Sequence, residues 1–455
     1  MRRIVILSYT EKGRQLNSRV SEYLEKKGDV TVSCCCGGED KSEDKGKVMS
    51  TKSNFNANKM EIMSINEILR QEWNCSSALI FIGAMGIAVR HVAPLLQSKT
   101  SDPAVLVLDE KGQFVIPVVS GHIGGGVCLA RELAQYLGAQ AVITTATDVE
   151  DQFAVDVFAQ RNHLWIENPR RIKGISSALL HGRIVDVWTR RPIEGDVPEG
   201  LRVVRVEVEA DEDLQVISSE KEIPEGLRRQ ETDTGEEMSK QSRTELRDRA
   251  VSHTAITIGL TPEVQEKIYR LYDASQVCEL QPRQYILGLG CKKGKTVEEL
   301  EDFLQEICKT QQINIHEIGA IASIDVKKEE KGIWELSRRI GVDFEVFTRQ
   351  ELEQIEETVT PSDFVKEIVG VDNVCERSAY CLARQWTQGQ KAEEGTQHTD
   401  KISPVEGILY AEESGPAEES RKNGKYSLVL GKQARDGITM ALVKVVPQIS
   451  WPQKQ

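Results

Sequence analysis

The stretch PVVSGHIGGGVCLARELAQYLG, residues 117–138, decides the fold class of this chain because it joins a strand pattern directly to a helix pattern. Its first part completes a β-branched and aromatic run over residues 113–120, which is typical of a strand. Its last part repeats apolar residues at helical spacing and ends at Gly138, a natural stop for a helix. Between the two patterns, the sequence predicts a glycine turn that contains His122.

The glycine turn admits two interpretations. Gly121, Gly124, Gly125 and Gly126 would let the backbone approach a ligand closely, with the N–H groups of the helix start directed at it. In the other interpretation the segment is a tight turn and His122 is simply solvated. The glycine spacing differs from the Gly-x-Gly-x-x-Gly of dinucleotide-binding proteins, so the sequence does not indicate a Rossmann site.

Strand and helix patterns alternate along most of the chain, which predicts a multi-domain α/β protein. Its 455 residues exceed what one hydrophobic core usually serves. We expect two layered α/β domains, residues 1–148 and 283–455, on either side of a smaller α/β domain, residues 149–282. Three polar stretches have little to bury and are expected to be loops, at about residues 37–58, 218–249 and 387–425.

Three further patterns concern individual elements. AVLVLDEKGQFVIPVVSG, residues 104–121, predicts a hairpin that turns near Gly112. AVITTATD, residues 141–148, predicts a strand. FAVDVFAQRNHLWI, residues 153–166, predicts a helix in the middle domain.

Composition argues against several classes of function. The formal net charge of −13 is unlike a nucleic-acid-binding protein, whose binding surface should be broadly basic. The longest apolar run, ALIFIGAMGIAV, is too short to cross a bilayer, and the first residues lack the apolar length of a signal peptide. We therefore expect a cytoplasmic protein without a membrane partner. Its ten cysteines contain no Cys-x-x-Cys pair and are expected to be free thiols, including the consecutive Cys34, Cys35 and Cys36.

A second glycine-rich stretch, LGLGCKKGKT, residues 287–296, follows a strand pattern and opens a helix pattern. It misses the Walker nucleotide-binding motif by one residue, because a leucine stands where the first glycine is required, so we do not expect ATP hydrolysis. Gly288 and Gly290 are expected to open space above the strand end. Lys292 and Lys293, beside a helix N-terminus, would then suit a carboxylate or phosphate. Solvated lysines on an ordinary turn are the alternative.

Together these stretches resemble the CbiG-type cobalt-precorrin 5A hydrolases of anaerobic cobalamin biosynthesis. GAMGIAVRHVAPLLQSKTSDPAVLVLDEKGQFVIPVVSGHIGGG resembles the family's amino-terminal signature, and ATDVEDQFAVDVFA the start of its middle domain. LGLGCKKG, IASIDVKKEEKGIWELS, TPSDFVKEIVGVDNVCERSA and LGKQARDGITMALV resemble its carboxyl-terminal domain. The resemblance covers roughly residues 75–180 and 283–446, with the blocks in the family's order.

The resemblance implies a chain that opens the δ-lactone of a cobalt-bearing tetrapyrrole and then expels acetaldehyde by carbon–carbon cleavage. The cobalt would arrive within the substrate, so we expect no metal or cofactor held by the protein itself. The family setting also suggests neighbouring pathway enzymes as partners. Because the carboxyl-terminal block is also similar to a free-standing protein of the aerobic pathway, a second hypothesis stays open. In that hypothesis the chain binds a tetrapyrrole and hands it over without chemistry.

The implied reaction needs a base that activates water and donors that stabilise an oxyanion. His122 is the leading candidate for the base, because histidine ordinarily titrates near working pH. His91, Asp148 and Asp156 are the alternatives, and Asp148 could equally cap a helix. The N–H groups of residues 124–126 would form the oxyanion hole.

Binding of a polyanionic macrocycle by an acidic chain requires local positive charge and backbone donors. Arg90 and His91 fall early in a helix that starts from a strand end, and we expect them at the same sheet edge as the glycine turn. The residues expected to bind the substrate are Gly83, Gly86, Arg90, Gly121, Gly124, Gly125, Gly126, Gly288, Gly290, Cys291, Lys292, Lys293, Lys327, Ser362, Glu376 and Lys432.

Overall fold

A computed structural model describes residues 1–35, 45–48, 62–98, 101–121, 124–144, 152–207, 215–219, 254–361, 370–388 and 425–452. These residues form two compact units. The first comprises Met1–Arg283, Arg338–Gly341 and Pro447–Gln455, and the second Gln284–Ser337 and Val342–Val446. Two mixed sheets lie in the first unit and one in the second, which confirms the predicted α/β class. The division into three domains stays a prediction.

The first sheet has eight strands. They are β1 (Arg3–Ser8), β2 (Val30–Cys35), β3 (Lys45–Val48), β4 (Ile62–Ser64), β5 (Ala78–Ile82), β6 (Ala104–Leu108), β7 (Phe114–Val119) and β8 (Gln140–Ala141). Their order across the sheet is β4-β3-β2-β1-β5-β6-β7-β8. The helices of this region are α1 (Glu11–Lys26), α2 (Ile65–Glu72), α3 (Met85–Val92) and α4 (Gly126–Leu137).

Helices cover both faces of the first sheet, because its central strands are apolar on both sides. Leu24 of α1 and Leu133 of α4 are fully buried against one face. Leu69 of α2 and Ala88 of α3 are fully buried against the other. Burial on both faces is what a largely parallel sheet requires.

The predicted hairpin is confirmed: it is formed by β6 and β7, so β7 runs opposite to the parallel strands of the sheet. Strands β1, β2, β5 and β6 run parallel, whereas β7 is antiparallel to β6. Gly112 allows the turn with a positive φ of 65°. The end of β7, Val119, therefore lies beside Val105 near the start of β6. The glycine turn follows at the amino-end edge of the parallel strands.

The second sheet contains β9 (Leu164–Ile166), β10 (Val185–Thr189), β11 (Leu201–Glu207), β12 (Gln215–Ser219), β13 (Ala255–Ile258) and β14 (Val277–Pro282), in the order β12-β11-β10-β13-β14-β9. Its helices are α5 (Val155–Arg161), α6 (Ile172–Leu180) and α7 (Pro262–Leu271). The carboxyl-terminal segment completes this core. Trp451 stacks on Phe158 with ring centroids 5.0 Å apart.

Three local predictions need correction. The strand predicted at residues 141–148 is limited to Gln140–Ala141 in the described part of that segment. The helix predicted over 153–166 stops at Arg161, because His163 adopts a positive φ of 50° and the chain turns into β9. Strand β3 interrupts the loop predicted at 37–58 and pairs with β2 and β4. The predicted loops at 218–249 and 387–425 lie almost wholly outside the described residues.

The third sheet, in the second unit, contains β15 (Tyr285–Cys291), β16 (Ile318–Ile324), β17 (Asp343–Phe347), β18 (Tyr426–Arg435) and β19 (Ile438–Val445), in the order β17-β16-β15-β19-β18. Its helices are α8 (Val297–Gln311), α9 (Lys331–Ile340), α10 (Arg349–Glu353) and α11 (Cys375–Gln388). Strands β15, β16 and β17 are parallel, so their carboxyl ends share one edge. Three of the residues expected to bind substrate follow strands at that edge: Lys292 and Lys293 after β15, and Lys327 after β16.

Candidate active site

The glycine turn is held together by its own backbone. The Val127 N–H donates to the Gly121 carbonyl at 2.8 Å, and the Gly126 N–H donates to the Ser120 carbonyl at 3.2 Å. Gly125 takes a left-handed conformation with φ 75° at the start of α4. The Gly126 N–H is already used inside the turn and cannot donate to an oxyanion. Of the three predicted donors, the N–H groups of Gly124 and Gly125 remain.

Ser120 is a residue of this turn that the sequence did not single out. Its φ of 53° is left-handed, a conformation that residues with a side chain rarely adopt. Its hydroxyl oxygen is buried and has no hydrogen-bond partner among the described residues. A Cβ at Gly124 would lie 2.5 Å from the Ser120 Cβ, so only glycine fits there. Strained and unpaired groups of this kind concentrate at functional sites.

Helix α5 lies beside the glycine turn. A Cβ at Gly125 would lie 3.9 Å from the Gln160 side-chain nitrogen. Asp156 stands four residues earlier and therefore shares a face of α5 with Gln160. The structure thus brings one predicted catalytic residue, the half-buried Asp156, to the helix that borders the turn.

Three predicted site residues, His122, Asp148 and Ser362, lie outside the described residues. Their roles stay predictions.

Arg90 and His91 lie on α3, and the position that the sequence predicted for them needs correction. Helix α3 follows the carboxyl end of β5, whereas the glycine turn lies at the amino-end edge, so the two helices begin at opposite edges of the sheet. Arg90 and His91 fall in the last turn of α3, not early in the helix. His91 Nδ1 is 2.9 Å from the Asn66 side-chain oxygen on α2, which fixes the imidazole orientation.

The start of α3 is open. Gly83 enters it with a φ of 153° over the Tyr9 ring. A Cβ at Gly86 would meet no atom within 4 Å. Among the described residues, Arg90 is exposed and forms no ion pair.

The glycines of β15 serve packing and not an open ligand space. A Cβ at Gly288 would lie 1.7 Å from the Cys375 carbonyl oxygen, where α11 begins. A Cβ at Gly290 would lie 2.6 Å from the Thr439 hydroxyl. The space that the sequence predicted above this strand end is filled by α11 and β19.

The helix N-terminus beside β15 already binds carboxylates of the chain itself. Glu299 and Thr296 form a capping box on α8, and the Gly294 N–H donates to Glu330 at 3.0 Å. Lys295 pairs with Glu299 at 2.6 Å, and Lys327 with Glu330 at 3.2 Å. Two of the lysines near this helix start, Lys295 and Lys327, are thus already paired within the chain, and the anion site predicted at Lys292 and Lys293 stays a prediction.

Three other predicted residues surround this cluster. Cys291 is half-buried, and burial raises the pKa of its thiol to about 11, so the thiol is neutral near pH 7. Lys292 and Lys293 are exposed, and the Lys292 side chain passes over Gly437. Lys327 and Lys432, the other two lysines expected to bind substrate, are half-buried.

Glu376 organises the neighbouring loops from inside the fold. Its side chain is fully buried, and its two oxygens accept the N–H groups of Thr360 at 2.8 Å and Lys432 at 2.6 Å. Asn373 donates to the Thr360 carbonyl and accepts the Glu376 N–H. These bonds give Glu376 and the Lys432 backbone a structural role. Their predicted contacts with substrate stay predictions.

The described residues contain no cluster of three or more His, Cys, Asp or Glu side chains arranged to hold a metal ion. The prediction that the cobalt belongs to the substrate rests on the family resemblance alone. No helix within the described ranges is long and apolar enough to span a membrane.

The fold and the site define a protein of the layered α/β class. A strained glycine turn follows β7 of the first sheet, and Glu376 ties together the loops beside the third sheet. Three family models match the chain in order. They are described as cobalamin synthesis G N-terminal, residues 67–148, cobalamin biosynthesis central region, residues 153–253, and cobalamin synthesis G C-terminus, residues 285–403.

Two curated relatives extend this match. A protein of Salmonella typhimurium named cobalt-precorrin-5A hydrolase is 32% identical over 71% of this chain and 81% of its own length. One of the same name from Priestia megaterium is 28% identical over 70% of this chain and 75% of its own length. The chain therefore belongs to the CbiG family, as its sequence blocks predicted.

A solved structure from Sulfolobus solfataricus, described as a candidate cobalamin biosynthesis protein G homologue, covers 97% of this chain and 97% of its own. It is 19% identical, with a TM-score of 0.35.

Proposed function

We propose that this protein hydrolyses the δ-lactone of cobalt-precorrin 5A and releases acetaldehyde in cobalamin biosynthesis. Family membership is the observation that carries the proposal, since relatives named for this reaction align over 71% and 70% of the chain. Those names favour the hydrolase over the hand-over protein. Neighbouring pathway enzymes as partners, and the cytoplasm as the location, are part of the same proposal.

The glycine turn supplies the donors for lactone opening. Water attacks the lactone carbonyl, and the N–H groups of Gly124 and Gly125 stabilise the oxyanion that forms. The lactone carbon–oxygen bond then breaks, which leaves a carboxylate on the macrocycle and a hydroxyl on the two-carbon fragment. Loss of that hydroxyl proton and cleavage of the adjoining carbon–carbon bond release acetaldehyde. The bonding pair stays with the macrocycle.

His122 is the proposed base for the attacking water, and Asp156 is its rival. His122 belongs to the turn by sequence, and Asp156 shares a face of α5 with Gln160, whose side-chain nitrogen would lie 3.9 Å from a Cβ at Gly125. A base at this turn would act on the water beside the proposed oxyanion donors, as general-base catalysis requires.

The test is to incubate the purified full-length protein with cobalt-precorrin 5A and to quantify acetaldehyde with a coupled aldehyde dehydrogenase. We expect one acetaldehyde per substrate consumed, together with the mass change of the opened macrocycle. Protein denatured before mixing is the control. Bound, intact substrate without acetaldehyde would overturn the proposed reaction.

A further inference from the structure

The space beside Gly125 is open except for one side chain. Among the described residues, a Cβ at Gly125 would meet a single atom within 4 Å, the side-chain nitrogen of Gln160 at 3.9 Å. Gly125 has a left-handed φ of 75° at the start of α4. A glycine with open space at its Cα lets a ligand approach the backbone closely. Gln160 therefore borders the place where a ligand of the glycine turn would lie.

The Gln160 side chain is available to that ligand. It is exposed, and its amide forms no hydrogen bond within the described part of the chain. Its backbone carbonyl, by contrast, is used at the end of α5, where it accepts the N–H of His163 at 3.3 Å. Exposed glutamines are common on helix surfaces. The feature that sets Gln160 apart is its position next to Gly125.

The backbone that carries Gln160 is held in place by its neighbours. Phe158 and Ala159 are each only 1% exposed. Asn162, just after α5, donates to the carbonyls of Phe158 at 2.9 Å and Ser450 at 3.0 Å, and accepts the Ser450 N–H at 2.7 Å. The Gln160 Cα is thus fixed against the core of the second sheet, while its amide can adjust to a ligand.

The distances allow the Gln160 amide and the turn to bind the same ligand atom. The backbone nitrogen of Gly125 and the Cβ position are attached to one Cα, so Gln160 Nε2 lies at most about 6 Å from that nitrogen. An oxygen that accepts a hydrogen bond of about 3 Å from each donor spans this distance. Within the described ranges, the N–H groups of Gly124 and Gly125 are not used in backbone hydrogen bonds. Gln160 and Gly125 can therefore donate to one oxygen, with Gly124 next along the turn.

We propose that Gln160 is a further catalytic residue, whose side-chain amide donates to the oxyanion that forms when the lactone opens. The inference rests on the proposed function, because the oxyanion belongs to that reaction. Side-chain amides act together with backbone N–H groups in such donor sets, where they stabilise the charge that develops in the transition state. A neutral amide is also compatible with a base at Asp156, four residues earlier, whereas a cation at position 160 would form an ion pair with that carboxylate.

The test removes the donor and keeps the length of the side chain. Gln160→Met has no N–H group, so kcat should fall at least about tenfold while KM changes little, because the lost bond is made only in the transition state. Both constants are measured by acetaldehyde release from cobalt-precorrin 5A. Because Gln160 is exposed, the thermal unfolding of this variant should match that of the wild type.

Gln160→Glu separates a hydrogen-bond donor from polarity alone. The carboxylate has the shape of the amide, but it only accepts hydrogen bonds, and its charge repels the oxyanion. We therefore expect kcat to fall further in Gln160→Glu than in Gln160→Met. A glutamate variant as active as the wild type would overturn the donor role.

The matched control is Gln135→Met. Gln135 is also an exposed glutamine of the first unit, and it lies on α4 about 15 Å along the helix from Gly125. This variant should have the kcat and KM of the wild type, and an equal loss of kcat in both methionine variants would overturn the inference.

The wild type and Gln160→Met together distinguish failure of the inference from failure of the proposed function. Acetaldehyde release by the wild type with an unchanged kcat in Gln160→Met would overturn the inference and leave the proposed function standing. That result includes a rise in KM alone, which would make Gln160 a ligand for a carboxylate arm of the substrate. A wild type that binds the macrocycle but releases no acetaldehyde would overturn both.

Discussion

Ser120 concentrates two unfavourable features in one residue. A left-handed φ costs a residue with a Cβ about 1–2 kcal/mol, and a buried hydroxyl that has no hydrogen-bond partner within the described part of the chain adds about 1–3 kcal/mol. Neither feature is visible in the sequence, where Ser120 simply ends a strand pattern. The local pattern did predict the strand, the turn and α4, because apolar periodicity and glycine chemistry act over a few residues. It could not predict which turn residue would be strained.

Replacement of Ser120 by glycine should therefore stabilise the protein. Ser120→Gly removes the left-handed strain and the unpaired hydroxyl, and it loses part of this gain to the greater freedom of glycine in the unfolded chain. We expect the free energy of unfolding to rise by about 1 kcal/mol, measured by chemical denaturation.

Ser120→Ala separates the two contributions, because it keeps the strain and removes only the hydroxyl. It should be neutral or slightly stabilising. A loss of more than about 1 kcal/mol in Ser120→Ala would mean that the hydroxyl has a partner, and would contradict this account of the turn.

The choice of base is decided by two single substitutions. If His122 is the base, His122→Ala should lower kcat by about 10²–10⁴ and leave substrate affinity nearly unchanged. Asp156→Asn, which keeps the shape of the side chain, should then lower kcat far less. The reverse result would move the base to Asp156, and a rise in KM alone on His122→Ala would make His122 a ligand for a carboxylate arm. Acetaldehyde release measures both.

The contact between β15 and α11 shows what a sequence pattern leaves undetermined. LGLGCKKG has the composition of a ligand-binding glycine turn, but Gly288 is required because the Cys375 carbonyl crosses directly above it. Cys375 lies far along the chain, so no local pattern could pair the two. The same limit applies to α3: its strand and helix were predicted, yet its sheet edge depends on the strand order and on the direction of β7.

Gly288→Ala should be strongly destabilising. The added methyl would lie 1.7 Å from a backbone carbonyl that cannot move without displacing α11. Overpacking of this severity is expected to lower the free energy of unfolding by about 3 kcal/mol, or to abolish soluble expression. Thermal unfolding and the yield of folded protein measure the effect.

Alanine substitutions at two other glycines serve as comparisons for the stability loss of Gly288→Ala. A Cβ at Gly294 would meet no atom within 4 Å, but its φ is 80°, so Gly294→Ala should cost about 1 kcal/mol from strain alone. Gly86 has open space and no positive φ, so Gly86→Ala should change stability little. Equal stability of the Gly288 and Gly86 variants would contradict the packing role of Gly288.

Buried thiols in both units link the stability of the whole chain to pH. Burial raises the pKa of Cys278 and Cys375 to about 12, and that of Cys308 and the half-buried Cys291 to about 11, from an ordinary value of 9.0. Above pH 9.0 the unfolded chain loses these protons while the folded chain retains them, so stability is complete below that pH and declines above it. Each thiol should contribute a decline of about 1.4 kcal/mol per pH unit, up to its folded pKa.

Comparing the wild type with a variant that lacks one thiol isolates that thiol's contribution to the decline of stability with pH. Lysines and tyrosines also titrate in this range, but they do so equally in both proteins. Cys278→Ala leaves a small cavity in the second sheet and should lower stability at about pH 8, as cavity formation predicts. Between about pH 9 and pH 10.5, however, its stability should fall less steeply than that of the wild type, by about 1.4 kcal/mol per pH unit. Because the two units need not unfold together, the comparison is made on the calorimetric transition that Cys278→Ala shifts at about pH 8. Cys278 is fully buried in the same core as residues of α5 and α6, so its thiol should ionise less readily in the folded chain than in the unfolded chain. Parallel pH profiles for the two proteins would contradict this expectation.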